Sequence, residues 1–265
     1  MQAFDYTKPA SVDAAVAALS GMDAALVAGG QTLLPAMKHR LATPGLLIDI
    51  GGLADLKGIS VDGGVLTIGA GETHAGVSNS TTVREAIPAF AELAGLIGDP
   101  AVRHKGTLGG SIANNDPAAD YPAALLALNA TVKTTKREIG ADAFFTGLFE
   151  TALEPEEIVL RVAFPIPERA GYAKFAHPAS RYALVGVFVA RFADGVRVAV
   201  TGAGEAGVFR AGPIEAALLA RFDGDAVPDN AVSEDGLMGD IHASAEYRAA
   251  LIAAFAKRAV DNANR

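Results

Sequence analysis

Leu26-Val27-Ala28-Gly29-Gly30-Gln31-Thr32-Leu33-Leu34-Pro35-Ala36-Met37-Lys38 changes character in its middle. Residues 24–28 form a short, wholly apolar run of the kind a buried strand makes, and Gly29-Gly30 ends it in a turn. Thr32 then caps a helix predicted over 33–41, with Pro35 in the first turn, where a missing N–H costs nothing. Consecutive glycines let backbone N–H groups gather around an anion with no Cβ in the way, and a helix start adds free amides and its dipole. The Thr32 hydroxyl supplies a further donor.

A second pair of this form, Thr107-Leu108-Gly109-Gly110-Ser111, lies inside 99–121, a stretch poor in apolar residues and rich in Gly, Asn and Asp. So polar a segment in a compact domain reads as a functional loop. With 29 glycines in the chain, one Gly-Gly pair alone would mark an ordinary turn. Two pairs with matching hydroxyls point to a pyrophosphate held by neutral amide dipoles. Neither is a GxGxxG fingerprint or a P-loop, so the Rossmann and Walker readings fall away.

Working outward, Ser11 precedes the helical stripe Val12, Ala15, Val16, Leu19, and 45–50 reads as a strand. Residues 58–61 and 65–68 flank Asp62-Gly63-Gly64 as a hairpin. A helical pattern over 73–98 is interrupted at Pro88; a helix over 122–128 and strands over 131–135 and 157–164 follow. Pro165-Ile166-Pro167 marks a stiff joint. Beyond it, 172–175, 183–192 and 196–201 read as an antiparallel meander, followed by helices over 213–221, around 227–238 and over 244–262. The fold class is α+β, with residues 1–167 (divided into 1–55 and 56–167) before a smaller unit, 168–265.

The chain of 265 residues is 51% hydrophobic and 20% charged, enough for a packed core. Its net charge of −8 argues against a broad nucleic-acid surface. With no Cys, this chain has no disulfide, no thiolate nucleophile and no Cys-held zinc or iron–sulfur cluster. The five histidines are scattered without HxH or HExxH spacing, so no metal site is expected. The first residues carry no signal-peptide pattern, and the most apolar stretch, 182–192, is too short to span a bilayer. A cytoplasmic protein is expected. No nucleophile–base constellation stands out, which suits a protein whose chemistry belongs to a cofactor.

Residues 26–40, together with Gly98-Asp99-Pro100-Ala101-Val102-Arg103 and 106–122 (GTLGGSIANNDPAADYP), resemble the two flavin loops of the FAD-binding medium subunit of molybdenum hydroxylases. That family includes the aerobic carbon monoxide dehydrogenases and xanthine dehydrogenases, and the resemblance continues through the tail. It implies a two-part FAD-binding domain of the vanillyl-alcohol-oxidase/PCMH type and a C-terminal α+β domain with a three-stranded antiparallel sheet. By the same resemblance, Ala28, Gly29, Gly30, Gln31, Thr32 and Leu33, with Thr107, Gly109, Gly110 and Ser111, clamp the FAD pyrophosphate. Asp120 accepts hydrogen bonds from the adenosine side, and Leu160 packs near the flavin. Lys174 and Tyr182 match positions close to the isoalloxazine, Tyr182 covering one face and Lys174 stabilising negative charge on the reduced ring. Gln31-Thr32 stands where His-Ser is common, leaving no histidine in the loop for a covalent link, so non-covalent FAD is implied. From the residues alone, Tyr182 also reads as a core tyrosine, Lys174 as a solvated strand lysine, and Asp116 and Asp120 as turn and N-cap residues.

The resemblance further implies a heterotrimer, assembled as a dimer of heterotrimers. A large subunit would hold the molybdenum cofactor and a small one two [2Fe–2S] clusters, and FAD would pass their electrons to an external acceptor. A carbon monoxide dehydrogenase-type enzyme is the leading case. An aldehyde, purine or N-heterocycle hydroxylase, or a self-sufficient flavin oxidoreductase of the same fold, is the alternative. A non-catalytic nucleotide-binding or assembly protein is the reading from another class. The absence of Cys excludes the hydroxybenzoyl-CoA reductase branch, whose flavin subunit carries a cluster of its own.

Overall fold

In a computed structural model that describes residues 1–20 and 23–265, the chain builds three sheets that matter to the site. The first unit contains strand β1 (Asp5–Thr7), helix α1 (Val12–Leu19), β2 (Ala24–Val27), α2 (Leu33–Lys38) and β3 (Leu46–Asp49). Its strands are parallel, in the order β1-β3-β2. Ser11 caps α1, its Oγ accepting from the Ala14 N–H at 3.2 Å. The apolar face of α1 joins Ile48, Ile50, Leu53, Leu56 and Ile158 in a small core.

The second unit runs through β4 (Ile59–Asp62), β5 (Val65–Gly69) and helices α3 (His74–Asn79), α4 (Thr81–Ala86), α5 (Pro88–Gly95), α6 (Pro100–Arg103), α7 (Leu108–Asn114) and α8 (Tyr121–Ala127). It continues with β6 (Thr131–Thr134), β7 (Glu138–Gly140), α9 (Ala141–Phe144), the small hairpin β8 (Phe145–Gly147) and β9 (Glu150–Thr151), and β10 (Val159–Pro165). Strands β4-β5-β10-β6-β7 make an antiparallel sheet. Two sequence expectations need correction here. The helical stretch 73–98 breaks at Ser80 as well as at Pro88, because the Ser80 hydroxyl accepts from Val83 N–H and starts α4. The polar segment 99–121 is partly helical: Asp99 and Thr107 cap two short helices, α6 and α7.

The C-terminal unit contains β11 (Arg169–Ala176), β12 (Ala183–Phe192), β13 (Gly195–Thr201), β14 (Phe209–Arg210), α10 (Gly212–Ala220) and α11 (Ala245–Ala263). Its antiparallel sheet has four strands, β11-β12-β13-β14, where three were expected. The fourth is two residues long, paired with Ala199 and Val200, and too short to carry an alternating pattern. No helix spans 227–238. Ser233 and Asp235 bond locally there, and Gly236 takes φ +75°, so the segment turns.

The continuous apolar run of β12 reflects burial on both faces. Val185, Val187 and Val189 face the α11 side, and Phe188 and Ala190 face the main core. Helix α8, Tyr-Pro-Ala-Ala-Leu-Leu-Ala, is buried at every position, as an all-apolar helix should be, and it packs against β12 and β13. The core therefore passes unbroken across the Pro165–Pro167 joint.

Candidate functional site

A cavity of about 590 Å³, within the usual range for a ligand site, lies where the three units meet. The first unit contributes Ala28, Gly29, Gly30, Gln31, Thr32 and Leu33; the second Thr107, Gly109, Gly110, Ser111, Asp116 and Asp120; the third Ser180, Arg181 and Tyr182. Of the residues singled out in the sequence, Leu160 and Lys174 do not line it. Leu160 packs with the small core of the first unit, although its neighbours Ile158 and Val159 reach the cavity wall.

The two glycine pairs perform different jobs. Among the described residues, no protein acceptor exists for the N–H groups of Gly29, Gly30, Gln31 and Thr32. Thr32 sits at the N-cap position with helical φ and ψ, and its hydroxyl makes no capping bond. Contrary to its expected role as a cap, it remains available to a ligand. In the second loop the amides are already committed: Leu108 N–H to Glu72 O (3.0 Å), Gly109 N–H to Ala70 O (2.8 Å) and Gly110 N–H to Thr107 Oγ1 (3.1 Å). The hydroxyls of Thr107 and Ser111 remain there as donors.

The glycines of both loops allow close packing. A Cβ on Gly29 would lie 2.7 Å from Gly106 Cα and would strike the Lys105 carbonyl oxygen, so the first loop rests directly on the residues leading into the second. A Cβ on Gly109 would come within 2.6 Å of the Ala70 Cβ. His74, not singled out as a site residue from the sequence, lines the cavity behind Gly106, its Nδ1 lying 3.3 Å from the Tyr121 hydroxyl. Burial, with the positive charge of Arg103, lowers its pKa to about 4, so the imidazole is neutral at pH 7.

Asp120 is buried, and its Oδ1 accepts from the Tyr172 hydroxyl (2.6 Å) and from Lys174 Nζ (2.8 Å). Burial raises its pKa, opposed by Lys174 and Tyr172. Lys174 also donates to Leu96 O (2.9 Å), and its side chain is only 3% exposed. It is therefore a buried strut behind the cavity wall and not a solvated strand lysine. Asp120 occupies the N-cap position of α8 without making a side-chain cap, whereas Asp116 makes a turn bond to Ala118 N–H at 2.8 Å. Tyr182 is 47% exposed, so it is not a core residue. Burial of its hydroxyl, with the nearby charges of Asp116 and Asp120, raises its pKa.

The C-terminal sheet holds the 116–120 loop in place. Thr201 Oγ1 donates to Ala119 O at 2.6 Å, and Gly202 N–H donates to Pro117 O at 2.8 Å. No short motif could have revealed this, because the partners lie more than eighty residues apart.

The donor set suits a dinucleotide carrying a pyrophosphate. It combines free amides and the Thr32 hydroxyl for the phosphates, a fixed carboxylate to accept from hydroxyl or N–H groups, and apolar walls from Leu26, Leu33, Ile50 and Val102. Together with the parallel and antiparallel sheets flanking it, this site defines a dinucleotide-binding protein. Residues 2–167 match the family described as the FAD binding domain in molybdopterin dehydrogenase, and the chain belongs to that family. It is 36% identical to the nicotine 6-hydroxylase medium subunit of Paenarthrobacter nicotinovorans, over 98% of this chain and 97% of that one. It is 34% identical to the carbon monoxide dehydrogenase medium chain of Hydrogenophaga pseudoflava, covering 98% and 96%. The solved carbon monoxide dehydrogenase of that organism, which lacks the Mo-pyranopterin moiety of its molybdenum cofactor, superimposes with a TM-score of 0.89 at 36% identity, covering 99% of this chain and 97% of that one. The match runs over both the FAD-binding part and the C-terminal unit.

Proposed function

We propose that this chain is the FAD-binding, electron-transferring subunit of a molybdenum hydroxylase complex, with a carbon monoxide dehydrogenase-type enzyme as the leading case. Bound FAD would supply the redox chemistry, accepting electrons from [2Fe–2S] clusters of a small partner subunit and passing them to an external acceptor. A large partner subunit would hold the molybdenum cofactor. The assembly would be a dimer of heterotrimers in the cytoplasm; among the described residues, no helix is long and apolar enough to cross a membrane.

In this reading the protein's task is to bind and orient. The free amides of Gly29–Thr32 and the hydroxyls of Thr32, Thr107 and Ser111 hold the pyrophosphate of non-covalent FAD. Asp120 accepts from the adenosine side, held by Tyr172 and Lys174, and Tyr182 covers one ring face. Leu160 acts through Ile158 and Val159 rather than by contact. Lys174 acts through Asp120 and not on the ring. Residues 1–167 form the FAD-binding domain and 168–265 the unit that closes the cavity. The observation that carries the proposal is a loop of unpaired amides opening onto a cavity large enough for a drug-sized ligand.

An N-heterocycle hydroxylase is the second reading, favoured by the full-length match to a nicotine 6-hydroxylase subunit. Isolation of the native complex distinguishes the cases. Flavin on this chain with molybdenum and iron on two partners, and activity with carbon monoxide, supports the leading case; activity with an N-heterocycle transfers it to the second. A recombinant chain that stays colourless with FAD, or one that alone turns over a small substrate, would refute both.

A further inference from the structure

The loop 177–182 joins β11 to β12 and carries Ser180, Arg181 and Tyr182 to the cavity. It is closed at its base by His177 N–H donating to Tyr182 O and Arg181 N–H donating to His177 O, both at 2.8 Å. Arg181 takes φ +62°, which a residue with a side chain adopts only when its surroundings hold it there. Two further amides inside the loop, Ala179 N–H and Ser180 N–H, both point to one atom, His177 Nδ1, at 3.2 Å each. An Asn or Asp side chain commonly accepts from amides two and three residues ahead, and here an imidazole nitrogen fills that place. Accepting requires the neutral ring with its proton on Nε2. The ring also packs edge-on against His242, with centroids 4.8 Å apart.

We infer that His177 is a positioning residue for the cavity. Its Nδ1 folds the 177–182 loop so that Tyr182 stands as one wall of the ligand site, and the residue acts through this acceptor rather than through the bulk of its ring. The other side-chain acceptor within the loop, the Ser180 hydroxyl, is already taken by Tyr182 N–H. Without the acceptor, two amides lose their protein partner, and the loop around Arg181 keeps only its two backbone bonds and the Ser180 turn bond. Tyr182 would then sample positions away from the cavity. The inference rests on the proposed FAD role for the readout used below, while the bonding that motivates it is independent of that role.

Substitutions separate the acceptor from the ring. In Asn, Oδ1 stands where Nδ1 stands in His, so His177→Asn keeps the acceptor and removes the ring. His177→Phe keeps a ring against His242 and removes the acceptor. FAD binding to the recombinant chain is measured by titration, with flavin fluorescence reporting an aromatic residue against the isoalloxazine. His177→Asn should bind FAD within about twofold of wild type, and His177→Phe roughly three- to tenfold more weakly, with less quenched flavin fluorescence. In the Tyr182→Ala background, His177→Phe should add nothing, because the two residues act as a unit. If Phe binds like wild type while Asn fails, or if the two effects add in full, the inference is overturned. If wild type itself does not bind FAD, the proposed function fails; protection of the Ala179 and Ser180 amides from hydrogen exchange in wild type and in the Asn variant, but not in the Phe variant, then decides the inference alone.

Discussion

Gly29→Ala tests whether the first loop is held in place by contact with the second. The added methyl would sit 2.7 Å from both Gly106 Cα and the Lys105 carbonyl carbon, where ordinary contact begins at 3.4 Å, so the backbones must part by about 0.7 Å or more. Lys105 and Gly106 cannot readily give way. Their own amides bond to Val102 O, and the residues that follow are tied to Glu72 and Ala70. The first loop therefore moves, and its unpaired amides move with it. Overpacking of this kind costs ~1–3 kcal/mol, which, if felt mainly in the bound state, weakens FAD binding by roughly 5- to 150-fold. Titration of the FAD-free chain, alongside thermal melting with and without FAD, gives both terms. Gly64→Ala is the matched control: it strains a turn at φ +78° with nothing within 4 Å and lies outside the cavity lining, so it should lower the melting temperature and leave FAD affinity alone. A Gly29→Ala chain with wild-type affinity would refute the argument that the two loops form one rigid clamp.

The neutral, buried His74 should make stability pH-dependent. Its folded pKa lies near 4, below the ordinary 6.5, so stability is full above about pH 6.5 and falls as the pH drops towards 4, by about 2 kcal/mol at pH 5. Denaturant titrations at pH 7 and 5 should show this difference in wild type and its reduction in His74→Phe. Thr32→Val, whose hydroxyl caps nothing, should leave unfolding free energy within about 0.5 kcal/mol and weaken FAD binding several-fold. Ser11→Ala, which deletes a real cap, should cost about 1 kcal/mol and leave FAD binding unchanged. Lys174→Met strands the buried Asp120 carboxylate and should cost about 3–5 kcal/mol near pH 7. Because the pKa of Asp120 then rises further, that loss should shrink as the pH falls and Asp120 protonates, and Lys174→Met/Asp120→Asn should recover part of it. Unfolding curves that showed the same loss at pH 5 and pH 8 would contradict this account.

Much of the fold was legible because its strands and helices advertise themselves locally. The hairpin at Asp62-Gly63-Gly64, the Ser11 cap and the long apolar run of β12 all depend on neighbours within a few residues. The misses share a cause. Strand β14 has two residues and exists only because β13 offers an edge, and β1 is three residues paired to a strand forty positions away. The break at Ser80 was readable in principle, since a serine followed by two threonines is a good cap, but a helical pattern on either side of it hid the stop.

The site was legible in composition and illegible in division of labour. Two glycine pairs flanked by hydroxyls look alike in sequence, yet only the first leaves its amides unpaired. What separates them is the chain passing behind: Ala70 and Glu72 supply carbonyls to Gly109 and Leu108, whereas no carbonyl among the described residues accepts from Gly30 or Gln31. Lys174 and Asp120 were likewise chosen singly, as two groups near a cofactor, and they form one pair across 54 residues, with the lysine turned away from the cavity. A local motif specifies which atoms are available, and distant backbone then determines which of them are already bonded. In the proposed reading the first loop offers an anion its backbone amides and the second loop its Thr107 and Ser111 hydroxyls, the glycine amides beside them being already bonded, so removing either hydroxyl should matter more than the glycine spacing suggests.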